Sequence, residues 1–219
     1  MYFTVNSLEA LIKVIIPHFE KYPLLTKKQA DFLLFKQIVG TMYNKQHLSI
    51  EGLKKVVSLK GAMNNGLTPI LIKYFPNINP VERPVIKLQE NLDPYWVAGF
   101  VEAEGCFFIT AIKSKSYKTG YQIQLNFNIV QHSRDFLLIK SFVNYFNCGA
   151  VYENTGHVTF VVKKLSDNQD KIISFFEKYP LQGFKLSDYN KFCRVAALMH
   201  KKAHLTAEGI DEILKIKTR

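Results

Sequence analysis

The chain has 219 residues, 47% hydrophobic and 21% charged, with only three, widely separated cysteines (Cys106, Cys148, Cys193). That apolar content supports a packed core and excludes a disordered chain. No apolar run reaches the roughly 18 residues of a membrane span, and the odd, scattered cysteines exclude a disulfide framework or a paired-cysteine metal knuckle.

Charge is more informative. Lys+Arg is 29 against Asp+Glu 18, a formal net charge of +11, which on charge alone fits either a merely basic soluble protein or one with a polyanionic partner, nucleic acid ahead of a membrane surface. Only four of the 29 are arginine (Arg83, Arg134, Arg194, Arg219). Lysine meets phosphate as a point charge, so any reading of bases falls to amide side chains. A composition heavy in Lys, Asn, Ile and Phe suits an AT-rich genome such as an organelle's. The first 13 residues show neither a signal-peptide nor a transit-peptide pattern.

In chain order, the first feature is an internal repeat. Phe19-Glu20-Lys21-Tyr22-Pro23-Leu24 recurs as Phe176-Glu177-Lys178-Tyr179-Pro180-Leu181, an offset of 176 − 19 = 157. Without a gap, the same offset pairs Lys28 with Lys185, Asp31 with Asp188, Phe35 with Phe192, His47-Leu48 with His204-Leu205, and Glu51-Gly52 with Glu208-Gly209. Residues 19–60 and 176–217 share 16 identities in 42 positions. Extended backwards, Tyr2–Val5 faces Thr159–Val162, and nothing in the chain pairs with about 92–157. Residues 1–75 are thus expected to be the C-terminal part of a first unit, and 93–219 a complete second one. Pro76, Pro80 and Pro84 make 76–92 an extended linker.

Within the complete unit, Asp93-Pro94 reads as an N-cap followed by Pro at the first helical position. A helix over 95–104 is expected to stop at Gly105 as a C′ residue. A strand follows over 106–115, then a turn at Lys118-Thr119-Gly120. In 121–131, Gln122, Gln124, Asn126 and Asn128 alternate with Ile123, Leu125, Phe127 and Ile129, the pattern of a half-buried strand. Residues 134–146 have helical spacing. Val151–Glu153 and Val158–Val162 form a second hairpin about Asn154-Thr155-Gly156. Helices complete the unit near 167–178, 185–200 and 206–216. The predicted fold class is α+β, an αββαββα unit with an antiparallel sheet.

Three groups of residues carry candidate chemistry. Glu102 and Glu104 sit in the last turn of the 95–104 helix, where the macrodipole disfavours negative charge. They read either as solvated glutamates on a frayed end or as a carboxylate holding a hard cation such as Mg²⁺ against phosphate. Ala98, Gly99 and Ala103 leave room for another backbone on that helix. The amide row, with Lys113, Lys115 and Lys118 nearby, reads as a base-contacting ribbon, since Gln and Asn pair with adenine in the major groove. Gln131 could orient a water, and Lys28 and Lys185 could stabilise phosphate charge. His47, His132 and His204 are read as structural.

Together these residues resemble the LAGLIDADG homing endonuclease and maturase family. Val97–Gly105 (VAGFVEAEG) is similar to its signature, and Gly105-Cys106-Phe107-Phe108, Gln131–Asp135, the Phe-Glu-Lys-Tyr-Pro-Leu element and His204–Gly209 are similar to organellar two-motif members. The resemblance implies two αββαββα units packed through their signature helices, with sheets forming a saddle on nucleic acid. It implies that Glu104 binds the divalent metal, Mg²⁺, and that Gln131, Lys185 and Lys28 line a cleavage centre. Phe108, Thr110, Ile112, Ser114, Gln122, Gln124, Asn126, Asn128 and Val130 would then face the ligand. Where the family's mechanism uses two acids, this chain supplies one, so a second polypeptide or copy packing on helix 95–104 is implied. Three readings stay open: part of a site-specific, metal-dependent DNA endonuclease; a non-catalytic RNA-binding maturase or component of an organellar RNA–protein particle; and, ranked last, a transcriptional regulator on the same fold that reads DNA without cutting. A mitochondrial setting is expected.

Overall fold

In the computed structural model, residues 3–87 and 91–218 are described; Tyr2 of the repeat and linker residues 88–90 lie outside the described residues. The chain divides into two units, Met1–Gln89 and Glu90–Arg219.

In the first unit, helix α1 runs through Leu8–Ala10, a wider π-type stretch Leu11–Ile15, and Ile16–Lys21. The Ser7 hydroxyl caps it by accepting from the Ala10 amide. Helix α2 (Lys28–Tyr43) packs against it, with Ile16, Phe32 and Val39 as buried centre. Helices α3 (Ile50–Gly61) and α4 (Pro69–Tyr74) follow. Part of the proline-rich stretch is laid on this unit. Arg83 donates to the Asp31 carboxylate (2.8 Å), the Ala62 carbonyl (2.8 Å) and the Lys27 carbonyl (3.2 Å), so three acceptors hold the stretch in place.

The repeated His-Leu-(Ser/Thr)-x-Glu-Gly element has a steric logic. Lys45 and Lys202 turn the chain through left-handed backbone (φ 57° and 59°) into one-turn 3₁₀ helices, Gln46–Leu48 and Ala203–Leu205. Ser49 and Thr206 then cap the following helix, accepting from the Gly52 and Gly209 amides, each at 3.1 Å. A Cβ on either glycine would lie 1.8 Å from the Gln46 carbonyl oxygen or 2.0 Å from that of Ala203. Close backbone approach therefore dictates the shared glycine.

In the second unit, α5 (Pro94–Glu104) begins with the Asp93 carboxylate accepting from the Trp96 amide at 2.9 Å. It runs directly into β1 (Gly105–Lys113), which a hairpin joins to β2 (Tyr121–His132). Helix α6 (Phe136–Phe146), the hairpin β3 (Ala150–Asn154) and β4 (His157–Val162), and three helices complete it. Helix α7 runs through Leu165–Asp167, a π-type stretch Asn168–Ile173 and Ser174–Lys178; α8 is Lys185–His200 and α9 is Ala207–Thr218. The sheet is antiparallel with order β1-β2-β4-β3. Helix α6 packs on β2 and β4, α8 on β1, and the π-type stretch of α7 on β2. Asn168 is fully buried and donates to the Leu125 (3.2 Å) and Val162 (3.3 Å) carbonyls, tying α7 to two strands.

One expectation is corrected. Gly105 is not a left-handed C′ residue: its backbone is extended (φ −82°, ψ 160°) and it opens β1. The reason for glycine is space, since a Cβ would lie 2.5 Å from Val101 Cγ1 and 2.8 Å from the Val101 carbonyl oxygen. Gly105→Ala is expected to lower stability by about 1–3 kcal/mol through overpacking; an unchanged midpoint in urea unfolding would refute the steric argument.

Candidate nucleic-acid interface and acidic helix tip

Pairing register fixes which side chains share the open face of the sheet. Phe108 stands opposite Asn126, Thr110 opposite Gln124, Ile112 opposite Gln122 and Cys106 opposite Asn128. The alternate residues Ile123, Leu125, Phe127 and Ile129 are buried beneath the helices, so the alternation read from sequence is a real division between core and open face. Phe108 and Ile112 are about half exposed, at 50% and 47%, and Val130 is exposed as well. Asn126 donates to the Thr110 hydroxyl at 3.3 Å, while the side-chain oxygens of Asn126 and Asn128 are buried and have no hydrogen-bond partner among the described residues. At the far end, the Ser114 amide donates to the Gly120 carbonyl (2.9 Å), closing the hairpin tip that carries exposed Lys113, Lys115 and Lys118.

The same register extends this face onto residues not singled out in the sequence. Thr159 pairs with Val130 and with Tyr152, His157 with His132, and Val161 with Asn128. Tyr152 is 51% exposed, with the Lys163 ammonium 5.8 Å over its ring. The inward alternation of Val158, Phe160 and Val162 was the signal that could have assigned their outward neighbours.

The other end of the sheet meets α5. Because Gly105 pairs with Ile129, Glu104 lies one residue past that pair, at the end where β2 runs out through Val130 and Gln131. Its half-buried carboxylate makes no hydrogen bond or ion pair among the described residues. Lys185, first residue of α8, reaches the same place: its ammonium donates to the carbonyls of Glu102 (2.7 Å) and Ala103 (2.9 Å). Cationic charge on the last carbonyls of a helix offsets the macrodipole, which answers how two glutamates are tolerated there. Glu102 points elsewhere. One of its oxygens accepts from the Lys185 backbone amide at 3.2 Å, and the other is buried without a partner.

Gln131 pairs with buried Val158, so it leaves the strand on the helix-covered side rather than with the amide row. Its side-chain oxygen accepts from the His132 amide at 2.9 Å. His132 in turn caps the next turn, its Nδ1 accepting from the Arg134 amide at 3.1 Å, a structural role as read from sequence. Lys28 occupies the equivalent place to Lys185 at the start of α2 and is exposed. Among the described residues no group of three or more His, Cys, Asp and Glu side chains could hold a metal unaided.

Two apolar surfaces accompany these groups. On α5, Tyr95, Ala98, Gly99 and Glu102 face Pro180, Leu181 and Gln182 across a cleft of about 250 Å³, and no atom stands within 4 Å of where a Gly99 Cβ would be. In the first unit, Phe3, Val5, Leu11, Val14, Ile15, His18 and Phe19 line a groove of about 500 Å³.

A family model described as LAGLIDADG endonuclease matches residues 1–39 and 97–196. Those two ends differ by 196 − 39 = 157, the offset of the internal repeat. The probable intron-encoded endonuclease 3 of Neurospora crassa is 44% identical over 96% of this chain and 40% of its own length. The chain spans less than half the length of the first curated relatives it matches. Among solved structures, the I-SmaMI LAGLIDADG homing endonuclease bound to cleaved DNA is 42% identical, with a TM-score of 0.95 over 97% of this chain and 72% of that one. The same protein on an uncleaved DNA target in the presence of calcium ions gives 42% identity and a TM-score of 0.95, over 98% of this chain and 74% of that one.

Proposed function

Since the chain belongs to the LAGLIDADG endonuclease family, we propose that it is part of a site-specific double-strand DNA endonuclease that hydrolyses phosphodiesters with a divalent metal. The observation that carries this reading is one sheet with two chemistries: an open face of amides and lysines for DNA, ending at a carboxylate, Glu104, that has no partner among the described residues, with a lysine ammonium on the adjoining carbonyls. Phe108, Thr110, Ile112, Ser114, Gln122, Gln124, Asn126, Asn128 and Val130 contact the major groove in this reading, and Lys113, Lys115 and Lys118 meet phosphates. DNA-bound relatives of high identity support it.

The donor set fits a magnesium ion. Mg²⁺ is held by one or two carboxylates together with substrate phosphates rather than by an all-protein cage, and a single hard oxygen donor at Glu104, without a protein cluster around it, matches that habit. When bound, the metal supplies Lewis-acid neutralisation of phosphate charge and a more acidic water. Glu104 would hold that ion and the Lys185 ammonium would add positive charge beside it, whereas Gln131, turned to the helix-covered side and accepting from the His132 amide, would have to leave that bond to orient water. Lys28 plays the part of Lys185 for the first unit.

In this reading a second polypeptide or a second copy of the chain, packing on the open face of α5, completes the site. By the repeat, Phe3, Val5, Ile15 and Phe19 correspond to Phe160, Val162, Ile172 and Phe176, which are no more than 1% exposed beneath the second unit's sheet and helices. Phe3, by contrast, is 90% exposed. The first unit's groove is a seat for a segment like 94–157, and the open face of α5 is a seat for its signature helix. Relatives named as intron-encoded, together with the Lys/Asn-rich composition, support a mitochondrial origin.

The test starts from a duplex selected by binding to the full chain from a randomised library. Nicking of that duplex in MgCl₂ is then measured for the chain alone and for the chain supplemented with the part of I-SmaMI that it does not cover. Sequence-dependent binding and Mg²⁺-dependent nicking are expected. Gln124→Ala with Asn126→Ala is expected to relax base preference by about 1–3 kcal/mol per lost bidentate contact. It should leave the salt dependence of affinity, set by the lysines, unchanged. Affinity for structured RNA that survives EDTA, without any nicking, would replace the endonuclease reading with the maturase one.

A further inference from the structure

The starts of α2 and α8 are equivalent by the repeat, yet they are capped differently. In the first unit, Thr26 caps locally: its hydroxyl accepts from the Lys28 amide at 3.2 Å. At the corresponding place in the second unit stands Gly183, and the equivalent amide, that of Lys185, is taken instead by the Glu102 carboxylate from 83 residues away in sequence, also at 3.2 Å. A Cβ on Gly183 would lie 2.3 Å from that same carboxylate oxygen. Gly183 has no left-handed backbone to require glycine, so its lack of a side chain serves only to admit Glu102.

The exchange is reciprocal. Glu102 satisfies an orphan amide at the start of α8, and the side chain of Lys185 satisfies orphan carbonyls at the end of α5. Each helix caps the other through one pair of residues. Lys28, without such a partner, is exposed, whereas Lys185 is half-buried. We propose that Glu102 and Gly183 are positioning residues: they fix the start of α8 so that the Lys185 ammonium is held on the peptide groups that precede Glu104. Neither residue touches the reacting phosphate. The inference deepens the endonuclease reading and rests on it for its consequence in the reaction.

The test compares the full chain with Glu102→Ala, Glu102→Gln and Gly183→Thr. The last places in the second unit the residue that the first unit already carries, so the turn tolerates it. Two readouts are taken. In ¹⁵N-detected NMR, the Lys185 ammonium should give a slowly exchanging signal with hydrogen-bond couplings to the Glu102 and Ala103 carbonyls. That signal should persist in Glu102→Gln, which keeps an acceptor, and vanish in Glu102→Ala and Gly183→Thr. Single-turnover nicking of the selected duplex in MgCl₂ should fall by about 10- to 100-fold in the last two variants, the cost of misplacing a group by about an ångström, with Kd for DNA within twofold and partial rescue in Glu102→Gln. Persistence of the ammonium signal in Glu102→Ala and Gly183→Thr overturns the proposal. So does its loss with nicking rates unchanged. Failure of the unmodified chain to nick in any combination would instead overturn the endonuclease reading, leaving the NMR result to decide the clamp.

Discussion

Glu104→Gln is expected to reduce nicking by at least about 10²–10³-fold, the size of effect seen when one preorganised electrostatic group is removed from a hydrolytic centre. The substitution is nearly isosteric and removes only charge. Glu104 makes no hydrogen bond or ion pair among the described residues, so no fold contact is lost and stability should change by less than about 0.5 kcal/mol. DNA affinity should hold or rise, because a negative charge beside phosphate opposes binding in the absence of metal. The check is a pair of measurements on the selected duplex: Kd in EDTA, and the single-turnover rate across a MgCl₂ titration. A variant that nicks normally removes Glu104 from the metal. A variant that nicks normally only at high MgCl₂ has lost affinity for the ion rather than the chemistry. Glu102→Gln gives a useful contrast, since Glu102 is already committed to the Lys185 amide and its neutral analogue retains an acceptor.

The contrast between those two glutamates shows where sequence reading succeeds and where it runs out. The last turn of α5 carried two acids that broke a local rule, and that was visible. What could not be seen was which acid was answered and by what, because the answer comes from Lys185, 83 residues on. Gly183 has the same history: in sequence it is one more loop glycine, and only the position of the Glu102 carboxylate explains it. Local signals lie in the sequence itself. Asp93-Pro94 starts α5, the alternation through Gln122–Ile129 separates core from open face, and the 157-residue repeat foretold the doubled capping element. Contacts between distant residues do not: Asn168 reaching the Leu125 carbonyl, Arg83 reaching Asp31, and Tyr152 joining the open face through β4. Nor do the π-type stretches of α1 and α7, at equivalent places in the repeat, have a signature in the apolar spacing, which shifts by only one residue there.

The second large effect concerns the face of the sheet opposite the proposed DNA surface. Phe127→Ala is expected to cost about 3–5 kcal/mol, the range for truncating a fully buried aromatic. Phe127 is wholly buried, and its ring packs on those of Phe107 (5.1 Å), Phe176 (5.9 Å), Phe146 (6.2 Å) and Phe160 (6.4 Å). These come from β1, α7, α6 and β4, so one side chain joins every layer of the second unit. Its neighbours along β2 are Asn126 and Asn128, which point the opposite way. A cavity behind the strand would therefore be felt in front of it: β2 can relax toward the void, and the amide row moves with the backbone that carries it. Two measurements separate loss of fold from loss of site. Urea unfolding should show the lost stability with an unchanged m-value. At temperatures where the variant remains folded, base discrimination should weaken more than the salt-dependent part of the affinity, because lysines on flexible stems at the hairpin tip tolerate a shifted strand and bidentate amides do not. If discrimination survives intact in a folded Phe127→Ala protein, the amide row is not what reads the sequence, and specificity must be sought on Tyr152, Thr159 and the β3–β4 side of the sheet.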